Sequence, residues 1–346
     1  MPIKINHKIF IAFIILMGLV VAALAQEDQY FTLNTVNARP LAMGGAFMAV
    51  GDDLPAINFN PAGYMLDKDE DSRRFTFYVN PMASFLGVID RKDLFKGSGS
   101  KIDDILLSTG LLLKALSMRV KSFEVGLLLG EQNLRLPDAF TSERFVEATG
   151  YRQNHSHSIV GRLRLAEKVS LGGTVSIVVG SRENDPFARI SDLGISYGII
   201  LKPANKLKVG VSFVNLPDSI KHYREDLERI VDESVNIGLS YRLFDGTLLA
   251  FDMRNLGEDD EAAVREFHFG AEQQIMSQVA LRAGYYKKST GEHVISGGIG
   301  LLNLRQFMEF KSNSIIKNYC LNYSFIYEKS ALVEKRWHLF TVVFKI

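Results

Sequence analysis

Apolar residues alternate with small or polar residues over most of the chain after residue 72. In 206–215 (KLKVGVSFVN), every second residue from Leu207 to Phe213 is apolar, and the same alternation recurs in 235–243 and in 279–286. Successive side chains of a strand point to opposite faces, so this pattern predicts strands with one apolar face. The chain is therefore predicted to be all-β.

The second face of these strands separates two all-β classes. It pairs glycine with polar or charged residues, at Gly161/Arg162, Gly210/Ser212, Gly238/Ser240 and Gly270/Glu272. A soluble sandwich exposes that face to bulk water, where glycine brings no particular advantage. Small residues ease strand curvature and leave room inside a closed sheet. An apolar outer face therefore predicts a transmembrane antiparallel β-barrel, closed because an open edge in hydrocarbon leaves backbone groups unpaired.

The first 25 residues have the three regions of an export signal. Lys4 and Lys8 precede the apolar run 9–21, and Ala23-Leu24-Ala25 forms a small-residue cleavage site before Gln26. The alternative is an uncleaved anchor helix, because the apolar run is near the lower limit for spanning a bilayer. The polar residues that follow the cleavage site favour a signal peptide over 1–25. We therefore expect export to a bacterial outer membrane.

Composition excludes several function classes. The 346 residues carry a net charge of +1 without a block of Lys or Arg, which argues against a nucleic-acid partner. A hydrophobic content of 47% with 23% charged residues excludes a disordered chain. Cys320 is the single cysteine, so an intramolecular disulfide is impossible, and we interpret it as a packing residue in a strand.

The connections between the predicted strands differ in length. Short turns are expected around 121–122, 167–168, 203–205, 245–246 and 276–277. Longer polar loops are expected around 88–104, 132–155, 181–190, 216–232, 256–263 and 287–292. Long loops on one side predict an extracellular set and a periplasmic set of short turns. Within 216–232, apolar residues at helical spacing predict a short amphipathic helix.

The last twelve residues (KRWHLFTVVFKI) end in an alternating apolar row from Phe340 to Ile346. We expect this row to form the strand that closes the barrel. We also expect it to carry the assembly signal that the barrel assembly machinery, an expected partner, recognises. The alternative is an ordinary terminal strand.

The stretch 51–63 (GDDLPAINFNPAG) departs from the alternation. Its two prolines exclude a long helix or a central strand. Ile57 and Phe59 are nevertheless apolar, which an exposed surface loop does not require. The sequence predicts a compact, turn-rich segment with apolar contacts.

The longer stretch 37–65 resembles the N-terminal signature of the FadL-like outer-membrane superfamily, and in particular its PorV/PorQ branch. The shared residues are Ala38-Arg39, Met43-Gly44-Gly45-Ala46, Asp52-Asp53 and Asn60-Pro61-Ala62-Gly63. The residue pattern of 192–216, 236–256 and 267–286 is also similar to that branch, so the resemblance covers nearly the whole mature chain.

The resemblance implies a barrel of about fourteen strands, over residues 71–346, with residues 26–70 folded into its lumen as a hatch. Gly44 and Gly45 are then expected to permit tight backbone geometry. Asp52 and Asp53 are expected to cap a turn or to pair with lumenal arginines. The candidate hatch and gating residues are Gly44, Gly45, Asp52, Asp53, Asn60, Pro61 and Ala62. The candidate lumenal charges are Arg162, Arg164, Arg242 and Arg282. The alternative, in which all of these residues only fold the plug, stays open.

Motifs for chemistry are absent from the sequence. It has no G-x-S-x-G, H-E-x-x-H or P-loop pattern, so no enzyme, cofactor or catalytic residue is predicted. His155 and His157 could form a metal pair, but without a third ligand at suitable spacing a lumenal role is preferred.

Three functions are compatible with this sequence. The first is passage of hydrophobic small molecules, such as long-chain fatty acids, through a FadL-like barrel. The second, implied by the PorV/PorQ resemblance, is a component of type IX protein secretion that docks or shuttles secreted proteins. The third, an outer-membrane lipase or protease, is disfavoured by the missing motifs. The expected partners are outer-membrane lipid and either a hydrophobic small molecule or a secreted protein.

Overall fold

The fold is described from a computed structural model of the chain. It describes residues 29–32, 35–51, 54–63, 73–80, 105–106, 109–110, 112–132, 155–182, 185–215, 233–256, 265–276, 279–288, 291, 293–301, 318–329 and 334–345. The predicted signal peptide, Asp52, Asp53 and the predicted helix in 216–232 lie outside these residues.

Within the described residues, fifteen strands join into one sheet. They are β1 (Gln29–Thr32), β2 (Arg73–Val79), β3 (Leu113–Val120), β4 (Phe123–Gln132), β5 (His155–Ala166), β6 (Val169–Arg182), β7 (Asp185–Ala204), β8 (Leu207–Asn215), β9 (Glu233–Phe244), β10 (Thr247–Arg254), β11 (Glu266–Met276), β12 (Val279–Lys288), β13 (His293–Leu301), β14 (Asn318–Lys329) and β15 (Glu334–Lys345).

The strands β2 to β15 form an antiparallel barrel of fourteen strands. Each strand pairs with its neighbour in sequence, and β15 returns to β2 through Phe344 opposite Val79 and Lys345 opposite Tyr78. The same edge of β15 also pairs with β1, in parallel, over residues 336–339. The barrel wall is therefore closed at β15 by two different segments, and the predicted fold class and strand number are confirmed.

Burial follows the alternation of the strands. On β9, Asn236 and Ser240 are buried, whereas Ile237, Leu239 and Tyr241 are each about two-fifths exposed. Large apolar side chains are also exposed on β5, β6, β7 and β12, at Ile159, Val175, Leu193 and Leu281. An apolar outer face around a closed sheet is the surface that a transmembrane barrel presents to lipid. None of the described helices is long and apolar enough to cross a membrane.

The tight turns largely follow the prediction. Two-residue turns occur at 121–122, 167–168 and 245–246, and the turn predicted around 203–205 occurs one step later, at 205–206. Lys121 and Gly246 take positive φ values of 52° and 83°. Positive φ is the backbone geometry that tight hairpin turns require.

The predicted long loop at 181–190 is wrong. The β6–β7 ladder continues through Ser181 opposite Arg189 to Arg182 opposite Asp185, so only residues 183–184 separate the strands. The polar sequence of this stretch suggested a loop, but polarity alone does not end a ladder, because the partner strand still pairs the backbone groups. Most of the other predicted loops lie outside the described residues.

A charged side chain on the apolar outer face is expected to lower the free energy of unfolding, and to lower it most in the middle of the membrane. Leu239→Arg, in the middle of β9, is expected to lower the free energy of unfolding by about 2–4 kcal/mol, whereas a position near the membrane surface loses about 0–1 kcal/mol. Leu243→Arg, close to the 245–246 turn on the same strand, is the matched control. Urea unfolding of the barrel in lipid vesicles measures both, and equal losses would contradict this placement of the hydrocarbon layer.

Candidate functional site

Residues 35–51 and 54–63, here called the luminal segment, lie against the inner face of the barrel. The segment contains a short helix, α1 (Ala38–Ala42), and two 3-10 turns, Leu54–Asn58 and Pro61–Gly63. Its residues contact wall side chains on β4, β6, β8, β9, β10, β11, β13, β14 and β15. A segment that touches strands all around a closed sheet lies inside it. The predicted boundaries of the hatch, 26 and 70, fall outside the described residues.

Gly44 and Gly45 turn the luminal segment sharply after α1. Their φ values are +62° and +75°, a region that side chains other than glycine rarely adopt. The Gly45 amide donates to the carbonyl of Pro40 at 2.8 Å, which ends the helix with a bond typical of glycine C-caps. These two glycines therefore set the path of residues 46–48.

Three polar wall residues on β10 and β11 bind the backbone of that turn. Asp252 accepts hydrogen bonds from the amides of Phe47 (2.8 Å) and Met48 (3.0 Å). Arg254 donates to the carbonyl of Gly45, and His268 Nδ1 lies 2.5 Å from the carbonyl oxygen of Gly44. Buried backbone groups need partners, and here the wall supplies them to a segment with little regular structure of its own.

Hydroxyl groups of the wall bind further carbonyl groups of the luminal segment. The bonds are Thr341 to Thr35 (2.7 Å), Ser324 to Ala38, Ser296 to Ala42 (3.2 Å), Ser240 to Ala49 (2.9 Å) and Ser170 to Ala62 (2.7 Å). Each donor is a buried hydroxyl on an inward-facing strand position. The wall thus holds the segment mainly by its backbone, from one end to the other.

Glycines of the wall let the luminal segment approach the strands. An added Cβ at Gly172, Gly210, Gly270 or Gly284 would meet backbone atoms of residues 61–62, 48–49, 43 and 43–44 respectively. The interpretation that inner glycines leave room for an occupant fits these positions. Gly161 does not belong to this set, because an added Cβ there would meet no atom within 4 Å. Its neighbour Arg162 is the buried residue, and adjacent strand residues face opposite sides.

A buried ion triad joins the luminal segment to the wall. Arg39 donates through Nε (2.8 Å) and Nη2 (2.7 Å) to the two oxygens of Glu272, a bidentate pair. Arg282 donates to the same carboxylate at 2.6 Å and to Asn322 at 2.8 Å. The Arg39 guanidinium also lies 5.3 Å from the Phe47 ring centroid.

The four predicted lumenal arginines have different environments. Arg282 joins the triad, and Arg162 is buried and pairs with Glu124 at 2.6 Å. Arg164 is half-buried and Arg242 is exposed, each close to a tight turn. The structure therefore brings only two of the four into the interior.

Asn60, Pro61 and Ala62 are all buried at the other end of the segment. The Asn60 side-chain amide lies within hydrogen-bond distance of the carbonyls of Met48 (3.1 Å), Ile199 (3.2 Å) and Val211 (3.2 Å). Its side-chain oxygen accepts from the Ala62 amide at 3.1 Å. Asn60 thus connects two turns of the segment with the wall strands β7 and β8.

Sequence reasoning missed the acidic wall residues that hold the segment. Glu131 accepts from the Thr35 hydroxyl (2.8 Å) and the Val36 amide (2.9 Å), and it pairs with the buried Lys114 at 2.9 Å. Asp252 is the single acid of β10, whereas β4 and β11 each carry a second acid besides Glu131 and Glu272. The inward-facing strand positions of Glu131, Asp252 and Glu272 could have indicated that they bind groups in the lumen. Their partners in the luminal segment, however, lie 95, 205 and 233 residues away in sequence.

Apolar contacts fill the space between these polar groups. One cluster joins Val36, Leu54 and Ile57 of the segment to wall residues that include Tyr78 and Val160. A second cluster is built mainly within the segment. Its members are Met43, Ala46, Phe47, Met48, Val50, Ala56, Phe59 and the wall residue Ala250. The interior thus combines polar anchors with apolar packing, unlike a water-filled pore.

His155 and His157 are both buried on β5, with ring centroids 5.0 Å apart. His157 Nδ1 accepts a hydrogen bond from the Gly130 amide at 3.1 Å. Within the described part of the chain, no group of three potential metal ligands occurs. Cys320 accepts a bond from the Asn322 amide at 3.1 Å.

The fold and interior together define a transmembrane β-barrel with an occupied lumen. Among solved structures, the chain is similar to the CymD monoaromatic hydrocarbon channel, with 12% identity over 91% of this chain and 97% of that one, and a TM-score of 0.47. It is also similar to a Pseudomonas aeruginosa FadL homologue (12% identity, 91% and 96% coverage, TM-score 0.43) and to a mutant Rh. blastica porin (12%, 74% and 80%, 0.37). No family model and no curated protein sequence matches the chain.

The close approach at Gly284 predicts a specific effect of one methyl group. Gly284→Ala is expected to cost about 1–3 kcal/mol of unfolding free energy, because the new Cβ meets the backbone of residues 43–44 and overpacks the interior. Gly161→Ala, which faces open space, is the control and should not destabilise the barrel. Urea unfolding measures both variants, and an equal effect would contradict the close approach.

The triad predicts that Glu272 anchors the luminal segment. Glu272→Gln removes the carboxylate charge that the buried Arg39 and Arg282 guanidinium groups share, and it is expected to cost about 3–5 kcal/mol. Amide hydrogen exchange in residues 38–48 should accelerate. The control is Glu334→Gln, which removes an exposed pair with Lys329 and should leave that exchange unchanged. Unchanged exchange in Glu272→Gln would show that the triad does not hold the segment.

Proposed function

We propose that this chain is an outer-membrane barrel that passes hydrophobic small molecules, such as long-chain fatty acids, and that it is not an enzyme. The observation that carries the proposal is the apolar cluster between Val36, Leu54 and Ile57 of the luminal segment and the wall. Apolar solutes gain roughly 25 cal/mol for each Å² that they bury. A lumen with apolar contacts suits such solutes better than ions.

Passage requires the luminal segment to shift, because its side chains fill the interior: Met43, Phe47 and Met48 are almost completely buried. Apart from the triad of Arg39, Glu272 and Arg282, the wall holds the segment through many separate hydrogen bonds to backbone groups, each of modest net strength. Water or a neighbouring polar group can replace such bonds one at a time. The segment is thus built to move by steps, with the barrel wall kept intact by its own ladders.

A second candidate function is a PorV/PorQ-like component of type IX protein secretion. The observation that favours it is the occupied lumen, since a docking protein needs no solute path. In this alternative the loops bind secreted proteins and the luminal segment only stabilises the barrel. Both candidates share the outer-membrane location and the barrel assembly machinery as a partner.

Loosening the luminal segment distinguishes the two candidates. Asp252→Ala removes the acceptor of the Phe47 and Met48 amides, and Asp252→Asn keeps the shape but removes the charge. We expect wild-type barrel to raise whole-cell uptake of a radiolabelled long-chain fatty acid in a Gram-negative host without its own fatty-acid channel. Both variants should change that uptake severalfold, because they alter the position of the segment.

Thr247→Val on the same strand is the control. Its hydroxyl donates to Gln273 at 2.6 Å on the exposed side of the hairpin, away from the segment, so uptake should equal that of wild type. Uptake no higher than in cells with an empty vector, with folded barrel present in the outer membrane, would reject hydrophobic passage. Co-purification of a secreted protein in that case would support the alternative.

A further inference from the structure

The end of the barrel that carries the tight turns is rich in basic side chains that the proposed function does not use. Within four residues of the turns at 121–122, 167–168, 205–206 and 245–246, two acids are exposed, Glu167 and Asp245. Seven basic residues there are exposed or half-buried: Lys121, Arg164, Lys168, Lys202, Lys206, Lys208 and Arg242. An excess of one sign of charge at the mouth of a low-dielectric barrel attracts a partner of the opposite sign.

A repeated backbone hydrogen bond places three of these residues, Arg164, Lys202 and Arg242, in what is here called the basic row. Each amide donates at 2.8 Å to the carbonyl of the second residue of a preceding tight turn. The donor and acceptor pairs are Arg164 and Ser122, Lys202 and Lys168, and Arg242 and Lys206. Successive members are two strands apart, so the row spans roughly 20 Å from β5 to β9, at about 4.8 Å per strand.

The basic row lies on the luminal face of its strands. Each member shares that face with a wall residue that contacts the luminal segment, because residues two apart on a strand, or directly opposite on paired strands, point to the same side. These wall residues are Ser170 opposite Arg164, Ile200 two before Lys202, and Ser240 two before Arg242. The adjacent residues Leu163 and Leu243 are exposed and apolar on the lipid face. The basic row therefore faces the mouth of the lumen, not the bilayer.

The basic row covers an arc of the mouth and stops at the next hairpin. The equivalent position on β11 is Gln274, whose amide donates to the Gly246 carbonyl at 2.7 Å. Lipid head groups surround a barrel on all sides, so an arc of cations on the luminal face suits a partner that approaches one side of the mouth. Among the described residues, no ion pair uses Arg164, Lys202 or Arg242.

We propose that the basic row binds an extended acidic segment of a periplasmic protein. The tight-turn end is the one expected to face the periplasm. A row of roughly 20 Å is longer than one carboxylate or phosphate group can contact, whereas an extended chain at about 3.3 Å per residue covers it with six or seven residues. Charge complementarity of this kind favours rapid association and selects the partner. The site does not depend on passage of solutes through the lumen.

Binding of a fluorescein-labelled peptide of six Glu-Gly repeats tests the proposal. The full mature barrel is placed in phosphatidylcholine nanodiscs, which leave both ends open to solution, and the anisotropy of the peptide is measured. Wild type is expected to bind it about tenfold more tightly than a peptide of six Gln-Gly repeats, and less tightly as salt is added. Arg164→Gln, Lys202→Gln and Arg242→Gln together should lower the affinity about tenfold.

The matched control removes the same charge from the opposite end of the barrel, by Lys287→Gln, Lys329→Gln and Arg336→Gln together, and should bind like wild type. An equal loss in both triple variants would show an effect of net charge alone and would overturn the proposal. So would a wild-type barrel that does not bind the acidic peptide.

Two rival occupants have their own tests. If wild type retains phosphatidylglycerol added to the nanodiscs and the triple variant of the row loses it, while the peptide does not bind, the row is a lipid site and the proposal is wrong. Replacing the acids of 67–71 by their amides should leave peptide affinity unchanged. A gain of affinity would show that the chain's own acids occupy the row and would also overturn the proposal.

Discussion

Every backbone amide and carbonyl inside this molecule needs a hydrogen-bond partner, and that requirement determines both of its parts. In the wall, the ladders from β2 to β15 pair the strands, and β15 returns to β2 at Phe344 and Lys345 and pairs with β1 over residues 336–339. In the lumen, the described residues 35–51 and 54–63 of the luminal segment have only five residues in α-helix and two short 3-10 turns. Its remaining polar groups depend on wall side chains such as Asp252 and Ser240. The wall and its occupant are therefore one hydrogen-bonded unit.

Size complementarity works together with these polar contacts. The wall brings glycine where the segment passes closest, at Gly284 beside Gly44 and at Gly172 beside Pro61. Where the backbones separate, apolar side chains fill the space, as Phe47 and Phe59 do with ring centroids 5.7 Å apart. Apart from the ion triad at Glu272, an interior packed in this way is stable but consists of many small contacts. That is the physical basis for proposing a segment that can move without unfolding the barrel.

The sequence was sufficient for the strands, because alternation such as that of 206–215 has a direct physical cause in the pleat. It also indicated that the inner face is small and polar. It did not predict that Gly161 lies on the outer face of its strand, while its neighbour Arg162 faces inward. It also did not predict the length of the β6–β7 hairpin. The partners of Glu131, Asp252 and Glu272 depend on how the segment lies across distant strands. Local sequence patterns carry no information about that placement. For the same reason they could not predict that β1 and β2 both pair with one edge of β15.

The most direct test of the luminal position of the segment is a thiol cross-link between residues 62 and 170, because the Ser170 hydroxyl donates to the Ala62 carbonyl at 2.7 Å. Ala62→Cys and Ser170→Cys are combined in a Cys320→Ser background, and the folded barrel in vesicles is treated with a short bifunctional thiol reagent, which does not require the strict geometry of a disulfide. We expect efficient cross-linking of this pair. We expect none for Ala62→Cys with Leu171→Cys, because Leu171 is the next residue of β6 and faces lipid. Cross-linking at 171 but not at 170, or at neither position in a folded barrel, would contradict a segment held inside the wall.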